Sequence, residues 1–120
     1  MSKVFNPSES YESKQNEQPW GTIEWLVHES LTPGVNMSVA VMNLLADKTS
    51  PLHRHPNSNE FCYLMEGQVE ITVDDKKQIL NAGDSVLIPI GTAHGFKNVG
   101  AQTGKMFLSY SEGRRIFQEL

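Results

Sequence analysis

The sequence predicts an all-β sandwich or barrel. Apolar and polar residues alternate over short runs, turn-forming clusters interrupt the chain about every 8 to 12 residues, and no stretch reads as a long helix. A length of 120 residues fits one domain. A chain of that size buries roughly two thirds of its unfolded surface, enough for one self-sufficient core.

Residues 1–19 are mostly polar and read as an arm without a core of its own. Val4, Phe5 and Tyr11 are available to anchor it on the domain or on a neighbouring subunit. The domain proper is expected over 20–120. Thr22 to His28 carries Ile23, Trp25 and Val27 on one face and reads as a strand. Leu31-Thr-Pro-Gly34 is a turn. Asn36 to Ala46 is apolar on both faces, and its valines and turn-rich flanks favour a strand over a helix. Glu60 to Glu66 sets Phe61, Tyr63 and Met65 on one face and Glu60, Cys62 and Leu64 on the other. After Gly67, Gln68 to Val73 alternates Val69, Ile71 and Val73 against Glu70 and Thr72. Asp74-Asp75 with Lys76-Lys77 is the composition of a hairpin tip, and Gln78 to Leu80 begins the return strand. Ser85 to Pro89 is a short apolar strand, His94 to Val99 runs extended after the Pro89–Gly91 corner, and Lys105 to Tyr110 alternates again. Arg114 to Leu120 reads equally as a helical turn or an edge strand.

The formal charge of −4 and pI near 5.5 argue against nucleic-acid binding, which needs a basic face. Cys62 is the single cysteine, so an internal disulfide and a thiolate cluster are excluded. No apolar run approaches the roughly 18 residues that span a bilayer. The first residues show no apolar core of a signal peptide. The default expectation is a cytoplasmic protein without a membrane partner.

The chemistry concentrates in His53-Arg54-His55-Pro56-Asn57-Ser58-Asn59-Glu60. In an extended strand, side chains two apart share a face, so His53 and His55 can reach a common point. Pro56 to Asn59 are all turn-formers and can fold the chain back to bring Glu60 beside them. Two imidazoles and a carboxylate are half of a metal site. The best completing residue is His94, which follows the tight corner at Pro89 and Gly91 and shares a face with Phe96 and Asn98. On a five- or six-coordinate metal this set leaves room for solvent or substrate, whereas on tetrahedral zinc it closes the shell. Taken singly, each histidine is as well explained by an ordinary hydrogen bond.

These residues together resemble the cupins. The first cupin motif, Gly-x5-His-x-His-x3-4-Glu-x6-Gly, is matched by His53, His55, Glu60 and Gly67. The second, Gly-x5-Pro-x-Gly-x2-His-x3-Asn, is matched by Gly83, Pro89, Gly91, His94 and Asn98. The departure is Asp47, which stands where the first motif opens with glycine, at a position that shapes a turn. The resemblance implies a small double-stranded β-helix, or jelly-roll barrel, of the RmlC-like type. It assigns one divalent transition metal ion per chain (iron, manganese, nickel, zinc or copper) to His53, His55, Glu60 and His94. It gives Gly67, Gly83, Pro89 and Gly91 turn-shaping roles, and it suggests a homodimer.

Other residues have plainer readings. Cys62 shares the inward face with Glu60 and reads as a small buried hydrophobe, with a cavity-lining thiol as the alternative. Arg54 should point away from the two histidines. Tyr110 can supply a phenol, whereas Tyr63 lies on the wrong face. His28 reads as solvated, Trp20 and Trp25 as core or subunit contacts, and Met37, Met42, Met65 and Met106 as core. The expected function is a metalloenzyme acting on a small organic molecule, by Lewis-acid or dioxygenase chemistry, with Glu60 as ligand and candidate base. The alternative is a non-catalytic module in which the metal anchors a ligand or staples the barrel.

Overall fold

The computed structural model describes residues 14–120, and these form eleven strands and no helix. They are β1 (Lys14–Gln18), β2 (Gly21–Val27), β3 (Ser38–Leu44), β4 (His53–Arg54), β5 (Glu60–Glu66), β6 (Gln68–Val73), β7 (Lys76–Asn81), β8 (Ser85–Ile88), β9 (His94–Asn98), β10 (Gly104–Tyr110) and β11 (Gln118–Glu119). One sheet runs β1-β2-β3-β10-β5-β8 and the other β11-β4-β9-β6-β7, with every strand pairing antiparallel. The architecture is a jelly-roll-like β-sandwich.

The core follows from alternation. β10 buries Met106, Leu108 and Tyr110 and leaves Lys105, Phe107 and Ser109 half-buried. β5 buries Glu60, Cys62 and Leu64 while Phe61 and Tyr63 stay exposed. β3 adds Ala40, Met42 and Leu44, and the facing sheet contributes Val69, Ile71, Leu80 and Phe96. Each fully buried aliphatic side chain contributes roughly 1.5–3 kcal/mol relative to leaving it in water. Of the four weighed methionines, Met42 and Met106 are buried, Met65 is half-buried and Met37 is exposed. On β2 a register shift between Trp25 and Val27 interrupts the expected alternation. The Asp74–Asp75 tip joins β6 to β7 as expected, with Asp74 at a positive φ of 55°.

Three stretches are defined by the structure beyond the sequence reading. Residues 14–18, set aside with the polar arm, pair with β2 as an edge strand, Lys14 opposite Trp25 and Gln18 opposite Gly21. The anchoring roles expected of Val4, Phe5 and Tyr11 lie outside the described residues. The C-terminal segment is an edge strand: Gln118 pairs with Arg54 and Glu119 with His53. Asp47 takes φ of 64° in a turn that Lys48 N–H closes onto the Leu45 carbonyl at 3.1 Å, so it adopts the left-handed conformation that the motif's glycine would supply.

Candidate metal centre

The centre is assembled across the two sheets. Strand β4 pairs with β9 so that His53 lies directly opposite His94. The bend after His55 carries the chain to the other sheet, where Glu60 opens β5 opposite Tyr110 of β10. That bend is tied down: Gly91 N–H donates to the His55 carbonyl at 3.0 Å, and Ile90 N–H to Asn59 Oδ1 at 2.9 Å. The second histidine corner and the first are thus locked together. The result is one cluster in which His53, His55, Glu60 and His94 are all buried and offer ligand atoms within 4.8 Å of one another.

The rings are oriented by main-chain carbonyls. His53 Nδ1 lies 2.7 Å from the Pro51 carbonyl, His55 Nδ1 2.8 Å from that of Ile116, and His94 Nδ1 2.9 Å from that of Thr92. A carbonyl oxygen only accepts, so each Nδ1 carries the proton and each neutral ring has a bare Nε2. Yet Glu60 Oε1 stands 3.1 Å from His55 Nε2 and 3.0 Å from His94 Nε2. Lone pairs facing a carboxylate at these distances require a cation among them, either an added proton or a metal ion. Three imidazoles with outer N–H groups bound to carbonyls, plus one carboxylate, fit iron, manganese, nickel, copper or zinc.

Electrostatics follow the same geometry. Burial and the neighbouring His94 lower His53 to about 4, which leaves it a neutral ligand at neutral pH. Burial alone would raise Glu60, but hydrogen bonds from His55 and His94 outweigh it and hold the carboxyl well below its usual range. Burial works to lower His94 as well, and there the Glu60 carboxylate prevails and raises it. Burial and the Glu60 charge push both the Cys62 thiol and the Tyr110 phenol up, so neither is an anion at neutral pH.

A cavity of about 350 Å³ reaches the cluster at His53 and Glu60. Ile23, Met42, Phe96 and Leu108 form apolar wall, and Tyr110 and Trp20 also line it. Cys62 is fully buried in the core and is not among the lining residues. Arg54 turns away and donates to Gln118 Oε1 at 2.7 Å. Tyr63 is exposed, and half-buried His28 has Nδ1 2.9 Å from Ser30 Oγ, away from the cavity lining.

Two residues of this site were not singled out from sequence. Phe117 stacks on His53 at 4.5 Å between centroids and 20° between planes. Arg115 places Nη1 3.3 Å from His55 Nε2. Both belong to the segment that the C-terminal strand holds over the centre. The only sequence signal was an apolar pair and a basic pair between Gly113 and Gln118, without any period to orient them.

Comparison with known proteins agrees with this architecture. An uncharacterized protein of Methanocaldococcus jannaschii is 33% identical over 78 residues, 65% of this chain and 62% of that protein. The quercetin 2,3-dioxygenase of Bacillus subtilis is 36% identical over 47 residues, 39% of this chain and 14% of that enzyme. The oxalate decarboxylase of Lactobacillus farciminis, solved as a formate complex, superimposes with a TM-score of 0.83 at 22% identity, over 91% of this chain and 34% of that one. The chain thus spans less than two thirds of the length of these proteins. The family model for the cupin domain matches residues 40–110, and the chain belongs to the cupin family.

Proposed function

We propose that this cupin holds one divalent transition metal ion on His53, His55, Glu60 and His94 and acts on a small organic molecule bound in the adjoining cavity. The observation that carries the reading is the meeting of the four ligand atoms within 4.8 Å, from both sheets, at the end of a cavity. The metal, when bound, supplies Lewis-acid polarisation of a substrate oxygen or, for a redox-active ion, dioxygen chemistry. The chain supplies the rest. Its apolar walls exclude water, and its carbonyl-anchored rings hold their Nε2 atoms in place. Glu60 is held ionised and is both a proposed ligand and the candidate base. The quercetin dioxygenase and oxalate decarboxylase likenesses make an oxygenase or a lyase the first activities to test.

A second reading, metal-dependent binding without turnover, has one observation in its favour. Outside the proposed ligand set, the cavity-lining groups that can ionise among the described residues are Tyr110, Arg115 and Glu119. Burial and the Glu60 charge keep the Tyr110 phenol protonated at neutral pH, and Glu119 is exposed. Self-association as a homodimer belongs to the same proposal, and light scattering tests it.

Elemental analysis of purified protein, followed by oxygen uptake and product formation over β-diketones, flavonols and hydroxy acids, decides between the readings. Turnover that disappears in His94→Ala supports the enzyme. Stoichiometric metal and ligand binding with no turnover supports the binding module, and a protein that retains no metal under replete conditions defeats both.

A further inference from the structure

Arg115 is a half-buried cation with no carboxylate at ion-pair distance among the described residues. Its guanidinium carbon lies 5.0 Å from the centroid of the Trp25 ring, 5.0 Å from that of Tyr110 and 5.4 Å from that of Phe117. Among the described residues it forms no ion pair, and its one side-chain hydrogen bond is to His55 Nε2 at 3.3 Å. Glu119 also lines the cavity, but it is exposed and lies beyond ion-pair distance. A metal ion on His55 Nε2 would take the same lone pair and engage the nearby Glu60 carboxylate as well, leaving the guanidinium at the cavity wall without a side-chain acceptor among the described residues. Withdrawing such a charge from water is costly unless an anion meets it.

The segment that carries Arg115 is fixed on both sides. Asn57 donates to the Arg114 carbonyl at 2.9 Å and accepts from Ile116 N–H at 2.8 Å. The Ile116 carbonyl receives His55 Nδ1–H, and Arg114 pairs with Glu29 at 2.8 Å. The guanidinium is therefore presented by a braced backbone, with little ordering left to do on binding. Beside it the wall is apolar: Ile23, Met42, Phe96, Leu108 and Phe117 line the same cavity.

We propose that Arg115 is the anion-recognising residue of this cavity, and that the ligand is a small monocarboxylate on an apolar body. The carboxylate takes the guanidinium's parallel N–H donors, a bidentate geometry that a lysine cannot reproduce. The apolar body lies against the cavity wall. The inference rests on the metal-dependent reading, because the metal is what releases Arg115 from His55.

The test is calorimetric binding of benzoate and of benzamide, its neutral isostere, to the protein as purified, with metal content measured on each sample. Benzoate is expected to bind about tenfold more tightly than benzamide, since charge-assisted hydrogen bonds are roughly twice as strong as neutral ones and the pair is bidentate. Arg115→Gln should lower benzoate affinity at least tenfold and leave benzamide within about twofold, with Arg115→Lys recovering part of the preference. A purely structural Arg115 would weaken both ligands alike. Equal affinities in the unsubstituted protein, no benzoate binding, or a preference that survives Arg115→Gln would each overturn the proposal. Full metal content with no carboxylate preference removes this inference alone, whereas absence of metal removes the reading beneath it.

Discussion

Glu60 Oε1 sits 3.0 Å from His94 Nε2, and both atoms are acceptors in the ring tautomer that the Thr92 carbonyl imposes. The contact is attractive only with a cation present. Glu60→Gln replaces the carboxylate with an amide whose N–H groups can donate to a bare Nε2. The variant should therefore fold in the presence of chelator, with a melting temperature at pH 7 no lower than that of the unsubstituted protein. Its affinity for zinc(II) or manganese(II) should fall by more than the roughly 100-fold typical of an outer-sphere change. Titration calorimetry and thermal melts read the two effects separately. A loss of fold with metal affinity preserved would contradict the assignment.

Arg115 competes with the metal for the His55 lone pair. A hydrogen bond involving a charged group is worth about 1.5–3 kcal/mol. Removing it in Arg115→Gln should tighten zinc(II) binding on the order of tenfold, as read by competition against a chromophoric chelator. Weaker zinc(II) binding in that variant would mean that the guanidinium supports the centre.

The chelated protein should be most stable near pH 6.5. His53 is lowered to about 4 in the fold, so the unfolded chain takes up its proton first as the pH falls from 6.5 to 4. Stability is lost over that window, by roughly 3 kcal/mol at about 1.4 kcal/mol per pKa unit. Glu60 is also lowered, so its contribution is lost as the pH drops below its unfolded value of 4.5. His94 is raised, so its contribution is complete below 6.5 and is lost as the pH climbs through its folded value. Denaturant melts across pH 4 to 9 in chelator test this curve. With metal bound the decline on the alkaline side should vanish, because the ion replaces the His94 proton.

Asn98 closes the second cupin motif, but its role is structural. Its Nδ2 donates to the Leu44 and Gln102 carbonyls at 2.9 Å each, and its Oδ1 accepts Gly100 N–H at 2.9 Å. Asn98→Ala strands these main-chain groups in a buried position and should cost about 3 kcal/mol in urea unfolding. Metal affinity of the folded fraction should be unchanged.

Asp47 holds a left-handed conformation, with φ of 64°, where the motif has glycine. Asp47→Ala should destabilise the protein by about 1 kcal/mol, since alanine lacks the tolerance of aspartate for this region. Asp47→Gly should lie within about 0.5 kcal/mol of the parent, because relief of φ strain offsets the extra freedom of the unfolded chain. Chemical denaturation of the two variants side by side checks the order.

Much of this was legible in the residues themselves. Strands β5 and β6 have the limits read from alternation, Glu60–Glu66 and Gln68–Val73, because each has one face in the core and the other toward water. The four candidate ligands were visible because two of them stand two residues apart, at and just beyond the short strand β4, and the other two flank turn-rich corners. The C-terminal segment was not legible. Its strand is two residues long, too short for a period, and its contacts reach back about 60 residues in sequence, as from Arg115 to His55. Strand β1 was hidden for a similar reason: it is polar throughout and is held by main-chain pairing to β2.

At Nδ1, all three histidine rings of the centre are steered by backbone oxygens, those of Pro51, Thr92 and Ile116. A peptide carbonyl is the same group whatever residue bears it. Evolution can therefore exchange those three amino acids, and reshape the cavity lining around them, without re-aiming the imidazoles. The scaffold can thus try new ligands while its inorganic chemistry stays where it was.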